Sequence, residues 1–107
     1  GGRKAEDGVI DWSKSVQEIH NLVRAVAPPY PGATTTLLGK PMRILQSLVT
    51  RCPMENKPPA FYVKGERAYA ICGNGLLRVL RFELDGAEMT PEQFAARHGT
   101  EKIEFNR

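Results

Sequence analysis

The sequence predicts a mainly β domain with attached helices: a small, partly open β-barrel preceded by an amphipathic helix. Three observations carry that expectation. A stripe of apolar residues recurs at helical spacing after Trp12. Short β-branched and aliphatic runs then follow, parted by glycine-containing turns at intervals of roughly eight to twelve residues. A late segment is framed as a short helix by Thr90, Pro91 and Gly99. With 107 residues the chain can bury one real core but has no room for two domains of usual size.

The first helix is placed after Trp12 because Val16, Ile19, Leu22, Val23 and Val26 fall on one face. Ser15 and Glu18 have the spacing of a capping box, with Ser13 as the alternative cap half a turn earlier. The helix must end near Ala27, since Pro28 and Pro29 lack backbone donors and push their predecessors out of the α region. Residues 33–38 and 42–50 read as strands joined by a hairpin at Gly39-Lys40, and the proline-rich residues 51–59 as a surface loop. A second hairpin runs through Phe61-Tyr62-Val63, Lys64-Gly65-Glu66 and residues 68–72. Gly73-Asn74-Gly75 is a further turn, residues 76–84 a strand, and Asp85-Gly86 a tight turn. The last helix has Thr90 as N-cap, Pro91 at its first position, Gln93 as capping-box partner and Gly99 at its stop. Gly1-Gly2 reads as a cloning remnant and residues 3–8 as an interdomain linker or extended lead-in, so residues 1–10 are set apart and the domain occupies residues 11–107.

Composition excludes several classes. Hydrophobic residues make up 41% and charged residues 25%, values of a globular rather than a disordered chain. No apolar run is long enough to span a membrane and no secretory signal is visible, so no membrane partner is expected and the cytoplasm is the default compartment. Fifteen Lys and Arg against twelve Asp and Glu give a net charge of +3, milder than a dedicated nucleic-acid binder carries. Cys52 and Cys72 are isolated and read as ordinary thiols.

Catalytic and ligand chemistry is mostly wanting. Cys52, Cys72, His20 and His98 lack the short spacings of a zinc site. Gly73-Asn74-Gly75 has no Lys-Ser/Thr and no strand-to-helix setting, so a hairpin turn fits it better than a phosphate loop. His20 and Asn21 are adjacent on a helix and point about 100° apart, a poor acid-base pair. Asp11, Glu18, Glu83 and Asp85 each have simpler roles in caps, turns or solvent. Trp12 can stack on a ligand or pack over the barrel, and packing is favoured. Arg24 can fork to a carboxylate or phosphate, or lie solvated.

Residues 11–33, DWSKSVQEIHNLVRAVAPPYPGA, resemble the start of the C-terminal domain of the formyltransferases that use 10-formyltetrahydrofolate. The resemblance rests on Asp11-Trp12, the amphipathic helix ending in Arg24-Ala25, and the turn Pro29-Tyr30-Pro31-Gly32-Ala33. It weakens through Gly39 to Val49 and fades near Leu84. Within the family, the wording around His20-Asn21 and RAVAPPYPGA is closest to the enzymes that formylate UDP-4-amino-4-deoxy-L-arabinose, and next to the methionyl-tRNA formyltransferases.

The resemblance implies an OB-like barrel, in agreement with the strand pattern. It also implies a preceding Rossmann-like domain that holds the family's catalytic Asn, His and Asp with their His-x-Ser-Leu-Leu-Pro segment, none of which has a counterpart here. The chain is therefore expected to be a non-catalytic accessory domain, binding no cofactor or metal itself, in a parent enzyme that uses 10-formyltetrahydrofolate. Its expected partners are that catalytic domain and an acceptor, a sugar nucleotide first and tRNA second. A stand-alone OB-type nucleic-acid module is the remaining reading. Arg24, Tyr30, Pro31, Gly32 and Trp12 are the candidates for the interdomain or acceptor side.

Overall fold

The computed structural model describes residues 8–54 and 57–105. Most of the expected linker, and two residues of the proline-rich loop, lie outside the described residues. In chain order the elements are α1 (Val16–Ala25), β1 (Ala33–Leu37), β2 (Lys40–Val49), β3 (Ala60–Lys64), β4 (Arg67–Ile71), β5 (Leu76–Leu84), β6 (Ala87–Met89), α2 (Pro91–His98) and β7 (Ile103–Glu104). The strands form one antiparallel, curled sheet in the order β1-β2-β5-β4-β3-β7, with β6 paired to β5. This mainly β half-barrel with two helices is the OB-like open barrel that the sequence implies.

The curl has a local cause. β5 pairs with β2 along most of its length, but its other edge serves β4 from Leu76 to Val79 and β6 from Phe82 to Leu84. Register shifts between Ile44 and Ser47 bend β2 where the partners change, as bulges do. The first hairpin turns at Leu38-Gly39, one residue earlier than expected, because Lys40 already pairs with Leu37. Both turn residues have positive φ, 55° and 71°, the backbone that a tight hairpin demands and that Gly39 supplies without strain. Leu38 accepts the same conformation with its side chain exposed.

α1 starts at Ser15, whose hydroxyl oxygen accepts from the Glu18 N–H at 3.1 Å. The Glu18 carboxylate accepts from the Ser15 hydroxyl at 3.1 Å rather than from its backbone N–H, so only half of the expected box is closed. The N–H of Val16 donates instead to Asn74 Oδ1 at 2.9 Å, and the N–H of Gly73 donates to the Lys14 carbonyl at 3.0 Å. The Gly73-Asn74-Gly75 turn thus caps a helix some sixty positions away, and satisfies a donor that the helix cannot satisfy itself. α2 carries the complete box, Thr90 N–H to Gln93 Oε1 at 2.9 Å and Gln93 N–H to Thr90 Oγ1 at 3.1 Å.

The concave side of the sheet holds the core. Val16, Ile19, Val23 and Val26 of α1 and its cap are buried with Ile44 and Leu77, while α2 inserts Phe94 between Phe61 and Phe82 at ring separations of 4.9 and 5.9 Å. The chain's tail, for which the sequence offers no role, returns as β7 beside β3 and brings Phe105 onto Trp12.

Candidate functional site

The five residues expected on the interdomain or acceptor side divide into two groups. Arg24, in the last turn of α1, and Tyr30 and Pro31, in the turn that follows, are exposed, Tyr30 by 46%. Arg24 also stands where a cation favours the helix C-terminus. Gly32 and Trp12 are buried. Gly32 has φ of 90°, donates to the Val26 carbonyl at 2.9 Å, and lies close against Leu45 and Arg43 of β2. Gly8 packs onto its carbonyl oxygen so closely that a Cβ there would stand 2.6 Å away. Trp12 donates from Nε1 to Thr35 Oγ1 at 2.8 Å, and its ring lies parallel to Phe105 at 4.0 Å. Its faces and its polar handle are committed within the fold.

His20 is half-buried, with Nδ1 2.8 Å from the hydroxyl of Ser47, which is buried. Burial, and then the charge of Arg24 one turn on, holds the imidazole below its ordinary value of 6.5. The pair has the distance of a base and a nucleophile, yet Ser47 is closed off from solvent, which makes it a fastener of α1 to β2 rather than a reactive dyad. Among the described residues no group of His, Cys, Asp or Glu converges to hold a metal ion. Cys72 is buried and its thiol pushed up to about 12, while Cys52 is exposed.

The convex face of the sheet is differently furnished. Strand alternation turns Phe61, Val63, Ala68, Ala70, Leu77 and Val79 inward and their neighbours Tyr62, Tyr69 and Arg78 outward. Register then aligns them: Tyr62 opposes Tyr69, Tyr69 opposes Arg78, and Arg78 opposes Leu48. The two tyrosine rings stack at 5.5 Å and 29°, on a small second cluster of Ala60, Ile71 and Leu76. Lys102 brings its ammonium over the Tyr62 ring at 5.3 Å. Lys64 and Arg67 oppose each other at the next position on the same face. Among the described residues the ion pairs are Lys14 with Glu18 and Arg81 with Glu88, so Lys64, Arg67, Arg78 and Lys102 are all without a carboxylate partner. Arg78 also buries its Nε with no acceptor.

Sequence reasoning missed this row. Alternation alone shows that Tyr62, Tyr69 and Arg78 point away from the core. Their alignment across three strands depends on register, which no local pattern displays.

Fold and surfaces together define a small barrel domain that has an amphipathic helix packed on its concave side and a cationic aromatic convex face. Residues 3–99 match the family described as Formyl transferase, C-terminal domain. The chain belongs to that family. It is 39% identical over 92 residues to the methionyl-tRNA formyltransferase of Geobacter metallireducens, an alignment covering 84% of this chain and 28% of that enzyme. The chain thus spans little more than a quarter of the length of this curated relative. No described helix is long and apolar enough to cross a membrane.

Proposed function

We propose that this domain is the acceptor-side accessory part of a formyltransferase, holding a tRNA acceptor while a separate Rossmann-like domain transfers the formyl group from 10-formyltetrahydrofolate. The observation that carries the reading is the convex row of unpaired cations, Lys64, Arg67, Arg78 and Lys102, on a domain whose relative acts, by its name, on methionyl-tRNA. The row suits a phosphate backbone, because cations without intramolecular partners give up no ion pair on binding. A sugar-nucleotide acceptor, first in order on the wording around His20-Asn21, finds less support, since His20 is engaged with Ser47 inside the domain.

Transfer to an amine needs a base and an oxyanion stabiliser, and those tasks fall to the catalytic domain. The exposed run Arg24, Tyr30 and Pro31 is the surface we assign to that domain. Replacing Arg24 by Gln and Tyr30 by Ala in the intact enzyme should weaken activity or domain association.

The test of the acceptor reading is salt dependence. With about four phosphates engaged, tRNA affinity of the 107-residue chain should fall roughly 50- to 150-fold between 50 and 200 mM salt. A flat response, or no binding at the lower salt, overturns it.

A further inference from the structure

We propose that the convex face is a stacking site for unpaired RNA bases, built from Tyr62 and Tyr69 and flanked by Arg78 and Lys102. The inference rests on the acceptor reading for its class of ligand and goes beyond it in naming the site and the strandedness. A phosphate-binding surface needs cations alone. This face spends two aromatic rings as well, and holds them in place: Tyr62 and Tyr69 oppose each other across β3 and β4, stack at 5.5 Å, and rest on Ala60, Ile71 and Leu76, with Met54 packed alongside. Rings fixed in this way lose little freedom when a base arrives, and every base offers a π face to them. Their flanks are charged for a backbone, with Arg78 opposite Tyr69 and Lys102 over Tyr62.

Lys102 gives the site its mode of entry. In the free domain its ammonium occupies the face of the Tyr62 ring at 5.3 Å. A base that takes that face releases the ammonium to the adjoining phosphate, so that a cation–π contact is exchanged for a stack and an ion pair. Arg78 is prepared from the other side. Its guanidinium has no carboxylate partner among the described residues, so a phosphate that meets it displaces no ion pair.

The experiment uses the 107-residue chain with a ten-nucleotide oligo(A) carrying 2-aminopurine at its centre, an RNA duplex of equal length, and tRNA. Binding is read by anisotropy and stacking by quenching of 2-aminopurine. We expect the oligonucleotide to bind with quenching, Tyr62→Leu and Tyr69→Leu to weaken it by roughly 5- to 150-fold each, and Tyr62→Phe and Tyr69→Phe to leave it within about twofold. Thermal melts confirm that each variant is folded, and Lys102→Gln, at an exposed position, gives a second perturbation with a smaller loss. Salt-dependent tRNA binding that the leucine variants do not alter, or duplex bound as well as single strand without quenching, overturns the stacking site and leaves the acceptor reading standing. Quenched oligonucleotide binding without tRNA binding does the reverse. Binding of none of the three RNAs overturns both.

Discussion

Gly73→Ala should be among the most damaging small substitutions in the domain, for a reason unrelated to backbone torsion. A Cβ at position 73 would overlap the carbonyl oxygen of Ser13 and stand 2.8 Å from its carbon and 2.9 Å from the Lys14 oxygen. These are backbone atoms, which cannot swing aside, so the turn and the residues leading into α1 must separate. Separation breaks the Gly73 N–H to Lys14 bond and draws Asn74 away from the Val16 N–H, about 1 kcal/mol for each. With some loosening of Trp12 and Val16 the total is about 2–4 kcal/mol, a fall in Tm of about 10–30 °C for a domain of this size. Asn74→Ala removes the cap without the collision and should cost about 1 kcal/mol, or about 4–8 °C. Gly39→Ala is the control of opposite kind, since no atom lies within 4 Å of its Cβ and only its φ of 71° is strained, at about 1 kcal/mol. Circular-dichroism melts of the three variants decide the matter. If Gly73→Ala melts no lower than Gly39→Ala, the reasoning is refuted.

Trp12→Ala should cost about 3–5 kcal/mol in urea denaturation and Trp12→Phe markedly less, because Phe keeps a ring against Phe105 and loses only the donor to Thr35; equal losses would show that the stack contributes nothing. Because His20 is held below 6.5, the unfolded chain takes up its proton first as pH falls. Stability should therefore be full above about pH 6.5 and decline below it down to the folded value, a slope that His20→Gln abolishes; an unchanged slope in the variant refutes the assignment. A thiol reagent at neutral pH should modify Cys52 rapidly and Cys72 only upon unfolding, since Cys72 is buried and pushed up to about 12. Two thiols reacting at the same rate would contradict the burial.

Much of this molecule is legible in its sequence because its elements announce themselves locally. The stripe from Val16 to Val26, the box at Thr90 and Gln93, and the glycines at 39, 65 and 86 each express a constraint met within a few residues. What escaped is non-local. The Gly73-Asn74-Gly75 turn reads correctly as a turn, but its task as the cap of α1 requires knowing that β4 ends and β5 begins beside residue 16. The tail is too polar to read as a strand, and two residues of it pair only because β3 is already there. By sequence alone Trp12 can face a ligand or pack over the barrel. The packing reading prevails through Phe105 and Thr35, neither of them near it in sequence. The same limit hid the convex row, whose members are ordinary outward residues until register sets them side by side.

The way the sheet is closed restricts how a partner can use this domain. An exposed sheet edge invites strand addition, and the two end strands of the β1-to-β7 order are covered or short. β1 is covered by the incoming chain, through the Val9 bridge to Thr34 and the Ile10 N–H to the Thr34 carbonyl at 2.9 Å. At the other end β7 contributes two residues, too few to template a longer pairing. The concave side is filled by α1 and α2. On the function proposed above, recognition falls to side chains, on the exposed turn around Tyr30 and on the convex row from Lys102 to Leu48. Side chains on a rigid strand keep fixed spacing along the row. Such a surface suits a ligand with a regular charge repeat and flat groups, the chemistry of the acceptor proposed above.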